Sequence, residues 1–569
     1  MVLLVDAAWT AGHSAEAQQS RARAMVPPDS AAAAYVAIDA DAEPAVALRT
    51  RWIARLFDVD ERLPYGVVCA TRPRSPGLLP LYALPARLND ALLAGRDRAL
   101  AAWAAEPDAV AERAVRHRRV LAASARRGWR ARPDLRVVLA EGIAATKAAV
   151  EPATGGLVGA RVDPTTGGLS WAPGPLRPAM LGLLLAAARR GDAAAGRLGR
   201  LALARLAASG MQDPLDGGFY HGAQDAAWRV PDFARTAAGN AALLAVYSAA
   251  AVQLESPAFA EVARGIAGYL IGTLRDAATG AFYASQGADE RYYTWSTRQV
   301  AAALPFDQVQ AACLHFNVQP QGGPLPDQSR NVLYPAMDAA TLAPYLGCAP
   351  DEAAARIVVV RAALCAARAA REPPPLDQTL YLDVNAQVVS ALLAAAAALG
   401  EPAWHTAALE TLAMLEAASS ADGGAVVPRA MGWGAGEPYL GDYAALGDAL
   451  LAAHRTTREP RYLARAEAVA AALLAQFRDV GSGALLDVPR RSLVGRAFWP
   501  EQPFEDDASA SPAALAARLL LDLARHTGQG AYREAATAAL RAGAAAAADD
   551  PTAAAVYYVA LDRLLASEG

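Results

Sequence analysis

The chain has 569 residues, 53 Lys and Arg against 57 Asp and Glu, a net charge of -4 and 54% hydrophobic residues, many of them alanine. That length exceeds one ordinary core and predicts either several domains or a repeat architecture beside a smaller domain. Well-mixed charge argues against nucleic acid or anionic lipid as partner, and no run of about 18 large apolar residues reads as a membrane span, Val388 to Leu399 being too short and too weakly apolar.

The N-terminus, Met-Val-Leu-Leu-Val-Asp, has neither a basic n-region nor a long apolar stretch, so a cytoplasmic location is expected. Lys147 is the only lysine, which argues against Schiff-base catalysis because arginine stays protonated. Cys69, Cys313, Cys348 and Cys365 form no CxxC pair, and reduced, buried thiols are expected. The seven histidines, from His13 to His526, show neither HxH nor HExxH spacing. That argues against a His-based metal site, and no cofactor is expected.

The first hundred or so residues read as α/β, with short apolar runs at Val2 to Val5, Ala34 to Ile38 and Gly66 to Ala70 and helical segments between them. Pro64 stands just ahead of the third run, where it removes no ladder donor. After residue 175 a 3.6-residue period takes over, in Ala179 to Arg190, Ala234 to Ala251, Val262 to Leu274, Asn385 to Leu399 and Tyr443 to Thr456.

Between these helices one loop recurs, acidic residue first and Gly-Gly-apolar last. It appears at Glu151 to Leu157, Asp163 to Leu169, Asp213 to Phe219, Asp276 to Phe282, Ala421 to Ala425 and Asp479 to Leu485. The stretch from Gly280 to Gly424 has room for two more hairpins, one with Gly322-Gly323. A repeat of this length predicts stacked helix pairs, and about six pairs close into an (α/α)6 toroid. Each loop is read as structural: the acid accepts turn N–H groups, glycine supplies positive φ and the apolar residue plugs the core.

Two stretches are less regular. Gly217-Gly-Phe-Tyr-His-Gly-Ala-Gln-Asp225-Ala-Ala-Trp228-Arg-Val-Pro231-Asp-Phe233 leads to a helix with Asn240, and Phe282-Tyr-Ala-Ser-Gln-Gly-Ala-Asp289-Glu-Arg-Tyr-Tyr293-Thr-Trp295 follows a later repeat. Both set acids beside aromatics, the combination that stacks the apolar face of a sugar and binds its hydroxyls.

With Leu382-Asp383-Val-Asn385-Ala and Tyr439-Leu-Gly-Asp442-Tyr443-Ala, these stretches resemble the spermatogenesis-associated protein 20 family. The resemblance implies a thioredoxin-like α/β domain over 1–125, a linker over 126–150 and an all-α, six-hairpin glycosidase-like toroid over 151–569. It also exposes departures. Where the family has Cys-His-Trp-Cys-His, this chain has Ala11-Gly12-His13-Ser14-Ala15, without a thiolate nucleophile or a resolving thiol. Asp39 and Pro64 still match the framework, and the start so close to the first strand leaves open that part of the domain precedes it. Where the family reads Trp-x-Val-Pro-His-Phe-Glu, this chain has Trp228-Arg-Val-Pro231-Asp232-Phe233-Ala234.

The carboxylates left as candidate catalytic groups are Asp225, Asp289, Asp383 and Asp442, because sugar chemistry pairs a proton donor with an ionised partner. For Asp383 and Asp442, helix N-capping is the rival role. Candidate ligand-binding residues are Trp228, Phe233, Asn240, Tyr293, Trp295, Asn385, Trp433, Glu437 and Tyr443, with core packing as the rival role for the aromatics. Three functions stay open: a toroid that binds or processes a sugar-like small molecule, a non-catalytic scaffold or pseudoenzyme, and, disfavoured by the missing thiols, a redox protein.

Overall fold

A computed structural model describes residues 134–150, 176–225, 227–419, 427–432, 437–491, 502–506 and 510–566, positions 101, 105 and 110, and the backbone of strands at 2–6, 35–39, 65–70, 79–85, 160–162 and 169–171. The N-terminal strands β1 (Val2–Asp6), β2 (Tyr35–Asp39), β3 (Tyr65–Ala70) and β4 (Leu79–Pro85) form one sheet in the order β2-β1-β3-β4. β1 pairs with β2 in parallel, Val2 opposite Tyr35, whereas β1–β3 and β3–β4 are antiparallel. Three of these strands coincide with the apolar runs. β4 has no such signal because it carries Pro80 and Pro85, which its place at the sheet edge tolerates. A short hairpin, β5 (Ala160–Val162) and β6 (Leu169–Trp171), follows.

The helical part is a closed double ring. Its first helices are α1 (Leu135–Ala148), α2 (Pro178–Arg189), α3 (Ala193–Ala207), α4 (Ala237–Gln253) and α5 (Pro257–Tyr269). An insertion carries α6 (Glu290–Tyr293), α7 (Thr297–Ala303), α8 (Phe306–His315), α9 (Ala339–Leu346) and α10 (Pro350–Ala369). The ring resumes with α11 (Leu382–Leu399), α12 (Pro402–Ala418), α13 (Leu440–Thr457), α14 (Pro460–Phe477), α15 (Pro512–Thr527), α16 (Gly530–Asp549) and α17 (Ala555–Ala566).

α2, α4, α11, α13, α15 and α17 each pack on the next, and α17 packs back on α2. Outside them α3, α5, α12, α14 and α16 each cover the inner helix that precedes them, and α1 covers α17, so the two ends of the helical chain complete the last pair. α1 lies within the stretch expected to be a linker. Gly142 makes its approach possible, since a Cβ there would stand 2.3 Å from the Tyr558 ring.

Patterning explains who goes inside. Inner helices are apolar nearly all round, as in α13, where every residue from Tyr443 to Ala453 is buried. α11 reaches the length and hydropathy of a membrane span, yet it is an inner helix walled by α4, α12 and α13. Outer helices such as α5 and α14 bury one face only. Small residues set the spacing: a Cβ on Gly447 of α13 would meet Leu519 of α15 at 2.4 Å.

The recurring loop is one turn built three times among the described residues. Asp213 N, Asp276 N and Asp479 N donate to Gly218 O, Ala281 O and Ala484 O, while Gly217 N, Gly280 N and Gly483 N donate back to the aspartate carbonyls. Those three glycines have φ of 88°, 76° and 76°, and Phe219, Phe282 and Leu485 are buried. The copies at 151–157, 163–168 and 421–425 lie outside the described residues. Of the helix pairs between Gly280 and Gly424, α11–α12 is a ring hairpin, whereas α9–α10 pack together inside the insertion α6–α10 and are not part of the ring. Cys313, Cys348 and Cys365 are free and half-buried rather than buried.

Candidate functional site at the mouth of the inner ring

The N-terminal ends of the inner helices share one end of the toroid, and a repeated backbone link holds them there. Leu176 N donates to His221 O, Ala237 N to Ala284 O, Leu382 N to Arg429 O and Leu440 N to Asp487 O, at 2.9, 2.9, 3.0 and 2.9 Å. In each case the residue at the start of an inner helix grips the segment leading to the next one. His221, Ala284, Arg429 and Asp487 therefore occupy equivalent rim positions, and three of the four are ionisable.

Arg429 joins two of the expected acids. Its Nη1 donates to Asp383 Oδ1 at 2.7 Å and to Asp442 Oδ1 at 2.6 Å, so two carboxyl groups from neighbouring inner helices meet on one nitrogen. Tyr381 supports the guanidinium, whose carbon lies 4.9 Å from the ring centre. The side chain of Asp383 is 20% exposed and that of Asp442 0%. The N-cap positions of α11 and α13 are Tyr381 and Tyr439, neither with a side-chain capping bond; both aspartates stand in the first turn and bind Arg429, and Asp383 Oδ1 also accepts from Val384 N at 2.8 Å. Burial pushes the Asp442 carboxyl up to about 8; Arg429 opposes the rise, and Asp383 adds to it. Asp442 Oδ2 is buried without a hydrogen-bond partner among the described residues.

On α2 and α4 the mouth has a histidine. His221 Nδ1 lies 2.9 Å from Asp232 Oδ2, and Asp232 Oδ1 accepts from Ala234 N at 3.2 Å. The acid orients the ring as in any carboxylate–imidazole pair. His221, Tyr220, Thr236 and Asn240 line a crevice with Leu176 and Leu243. The segment is backbone-strained: Trp228 and Phe233 have φ of 56° and 63°, a region bulky side chains rarely adopt.

Behind this crevice lies a buried ionic quartet. Arg235 donates to Asp216 at 2.6 Å and to Gln286 Oε1 at 2.6 Å; Arg368 of the insertion binds Asp213 and Asp216. Burial raises the Asp216 carboxyl, yet Arg235 and Arg368 outweigh it and hold that group below its ordinary value. Tyr269 and Tyr293 face the Arg235 guanidinium at 4.1 and 4.8 Å. The quartet ties α10 to the repeat loop at Asp213 to Phe219.

The remaining candidates divide between turns, core and mouth. Asp225 accepts from Arg229 N and Val230 N, and Asp289 N-caps α6 through Arg291 N and Tyr292 N. Asn240 and Asn385 play one repeated role. Each accepts from the N–H of a loop phenylalanine, Phe219 or Phe282, and donates to its carbonyl, so both amides are committed to backbone. Phe233 stacks on Tyr293 with centroids 6.2 Å apart, and the Tyr293 hydroxyl donates to Gln286. Trp295 is in the core of the insertion, Tyr443 accepts from Val427 N and Gln476 Nε2, and Glu437 is half-buried ahead of α13. Trp433 lies outside the described residues.

Sequence reasoning passed over Arg429, Arg235, Arg368 and the His221–Asp232 pair. For Arg429 the chain offers no motif. His221 stood inside a quoted stretch, and the chance to pair it with Asp232, eleven residues on, was the signal available.

No protein-family model matches the chain. Among curated proteins, spermatogenesis-associated protein 20 of Mus musculus is 32% identical over 121 residues, 19% of this chain and 15% of the relative. Its Homo sapiens counterpart is 26% identical over 226 residues, 35% of this chain and 29% of the relative. The chain thus matches less than a third of the length of these relatives. Among solved structures, it is similar to a D-mannose isomerase (TM-score 0.45, 12% identity, 71% of this chain and 83% of that one). It is also similar to a sugar epimerase from a ruminal bacterium (TM-score 0.47, 10% identity, 71% and 85%) and to an unsaturated glucuronyl hydrolase specific for heparin (TM-score 0.45, 13% identity, 76% and 97%).

Proposed function

We propose that the mouth of the inner ring binds a sugar-like small molecule and holds the groups for acid–base chemistry on it. The observation that carries this reading is the meeting of Asp383 and Asp442 on one Arg429 nitrogen, with the buried member still protonated near neutral pH. Both carboxyl groups share one cation, and Asp383 is the member placed at the mouth to exchange a proton with a ligand. Asp383, the more exposed member, is the group that meets ligand; Asp442 is a positioning residue behind it. Tyr220 lines the crevice, backed by the stacked Phe233 and Tyr293, and His221 with Asp232 supplies a second proton-transfer group on the rim.

A non-catalytic binding role is the second reading, favoured by the commitment of Asn240, Asn385, Asp225 and Asp289 to backbone. As part of the same reading, residues 1–125 form a thioredoxin-like shell without redox chemistry, supported by the strand order and the parallel β1–β2 pair.

Calorimetric titration with a panel of neutral mono- and disaccharides, combined with NMR assays for their conversion, tests the proposal. A saccharide that binds the wild type and loses about tenfold or more in affinity with Asp383→Asn, at unchanged melting temperature, supports it. Conversion abolished in the same variant adds catalysis. Absence of binding across the panel, or equal binding by both proteins, refutes it.

A further inference from the structure

In the insertion, two arginines lie together without an ion pair among the described residues, the Asp327 carboxylate acting on Arg330 only from beyond ion-pair distance. The carbonyls at the end of α6 are gripped by two arginines from different parts of the insertion. Arg330 donates Nε to Thr294 Oγ1 at 2.6 Å, and Nη2 to Arg291 O and Thr294 O, both at 2.7 Å. Arg371, just past α10, donates Nη1 to Tyr292 O, Thr294 O and Arg291 O at 2.6, 3.0 and 3.3 Å. Because Arg291 O and Thr294 O accept from both residues, the two cationic heads lie side by side.

Among the described residues neither guanidinium has a carboxylate within ion-pair distance. Both side chains are half-buried, so water screens their repulsion only in part. Burial, then Arg330 and Arg368, push the Arg371 guanidinium down to about 10. The carbonyls engage Arg371 Nη1 and Arg330 Nε and Nη2. Arg371 Nε and Nη2 and Arg330 Nη1 have no hydrogen-bond acceptor among the described residues. Arg371 is also held in place, its guanidinium carbon 3.8 Å from the Trp295 ring centre.

Capping a four-residue helix accounts for one arginine at its C-terminal carbonyls. A second one beside it adds repulsion, and an anion removes that repulsion while filling the unused donors. We propose that Arg330 and Arg371 form an oxyanion site that takes a phosphate or carboxylate group of a small molecule. Guanidinium groups suit this chemistry because their planar N–H pairs match two oxygens of one anion, and a head already fixed by carbonyls and an indole loses little freedom on binding. The site shares no residue with the Asp383–Arg429–Asp442 group, and its test reads anion binding, so its failure leaves the sugar reading untouched.

The test titrates the full chain with inorganic phosphate and with glucuronate at constant ionic strength, with glucose as neutral control, by calorimetry and by melting temperature. The expected result is binding and a raised melting temperature with at least one anion, about tenfold or more weaker in Arg330→Gln, and a response to glucose that is the same in wild type and variant. Phosphate alone, glucuronate alone or both name the source of the oxyanion, and each supports the site. If Arg330→Gln fails to fold, Arg330→Lys keeps the charge but loses the planar donor pair, with a smaller loss of about threefold expected. No binding of either anion overturns the proposal, as does wild-type affinity in the folded variant.

Discussion

Two of the places where aspartate and arginine meet in the inner ring hold them in opposite proportions. Toward the C-terminal ends of the inner helices, Asp448 and Asp522 face Arg518, Arg455 and Arg563, in pairs of 2.6 to 3.2 Å that stitch α13, α15 and α17 together. At the mouth, Asp383 and Asp442 share Arg429 as their one arginine among the described residues. Burial pushes the acid upward in both places. Deep in the ring the arginines outweigh it and hold Asp448 below the ordinary carboxylate value, whereas at the mouth one arginine does not, and Asp442 rises to about 8. The ratio of cations to acids, rather than burial, separates a structural staple from a proton-holding group.

The variant expected to disturb this contrast most is Arg429→Gln. It leaves two carboxyl groups at the mouth without their cation and is expected to cost about 3–5 kcal/mol at pH 8 in urea unfolding. The loss should shrink as pH falls, since protonation removes the uncompensated charge. A loss below about 1 kcal/mol would show that the acids do not depend on this arginine.

Asp522→Asn comes next. It removes the acid that serves Arg455 and Arg563, which are themselves about a third exposed, so the cost falls to about 2–3 kcal/mol. Unlike the first loss, this one should hardly change between pH 6 and 8. A strongly pH-dependent loss would erase the distinction drawn between the two places.

The smallest effect on stability is expected from Asp442→Asn, within about 1 kcal/mol at pH 7, because asparagine resembles the protonated acid already present. Its signature is the pH profile. A folded value near 8 lies above the unfolded value of about 4, so this stabilisation is complete below about 4 and is lost as pH rises through about 8. The variant should lack that decline. If instead it loses several kcal/mol at pH 7, Asp442 is ionised there and the acid–base reading of the mouth fails.

Much of this was legible along the chain. The turn residues of the repeat loops interact within seven positions of one another, so Asp276, Gly280 and Phe282 announce their own geometry before any folding is known. The helices that form the ring were legible for the same reason, since a 3.6-residue period is local. β4 was hidden by its prolines, and the insertion by helices whose apolar period resembles that of ring helices.

The site divides along the same line. Composition, period and turn chemistry determined by themselves that the chain makes paired helices joined by Asp–Gly turns, and that acids gather where inner helices begin. Which of those acids reach a charged partner distant in the chain was decided by the tertiary structure. Asp225 and Asp289 lie within five residues of the N–H groups they accept from, while Arg429 reaches Asp383 across 46 positions of chain. A carboxyl's proton affinity depends on how many charges share its buried surroundings, and only the closure of the ring brings those charges together.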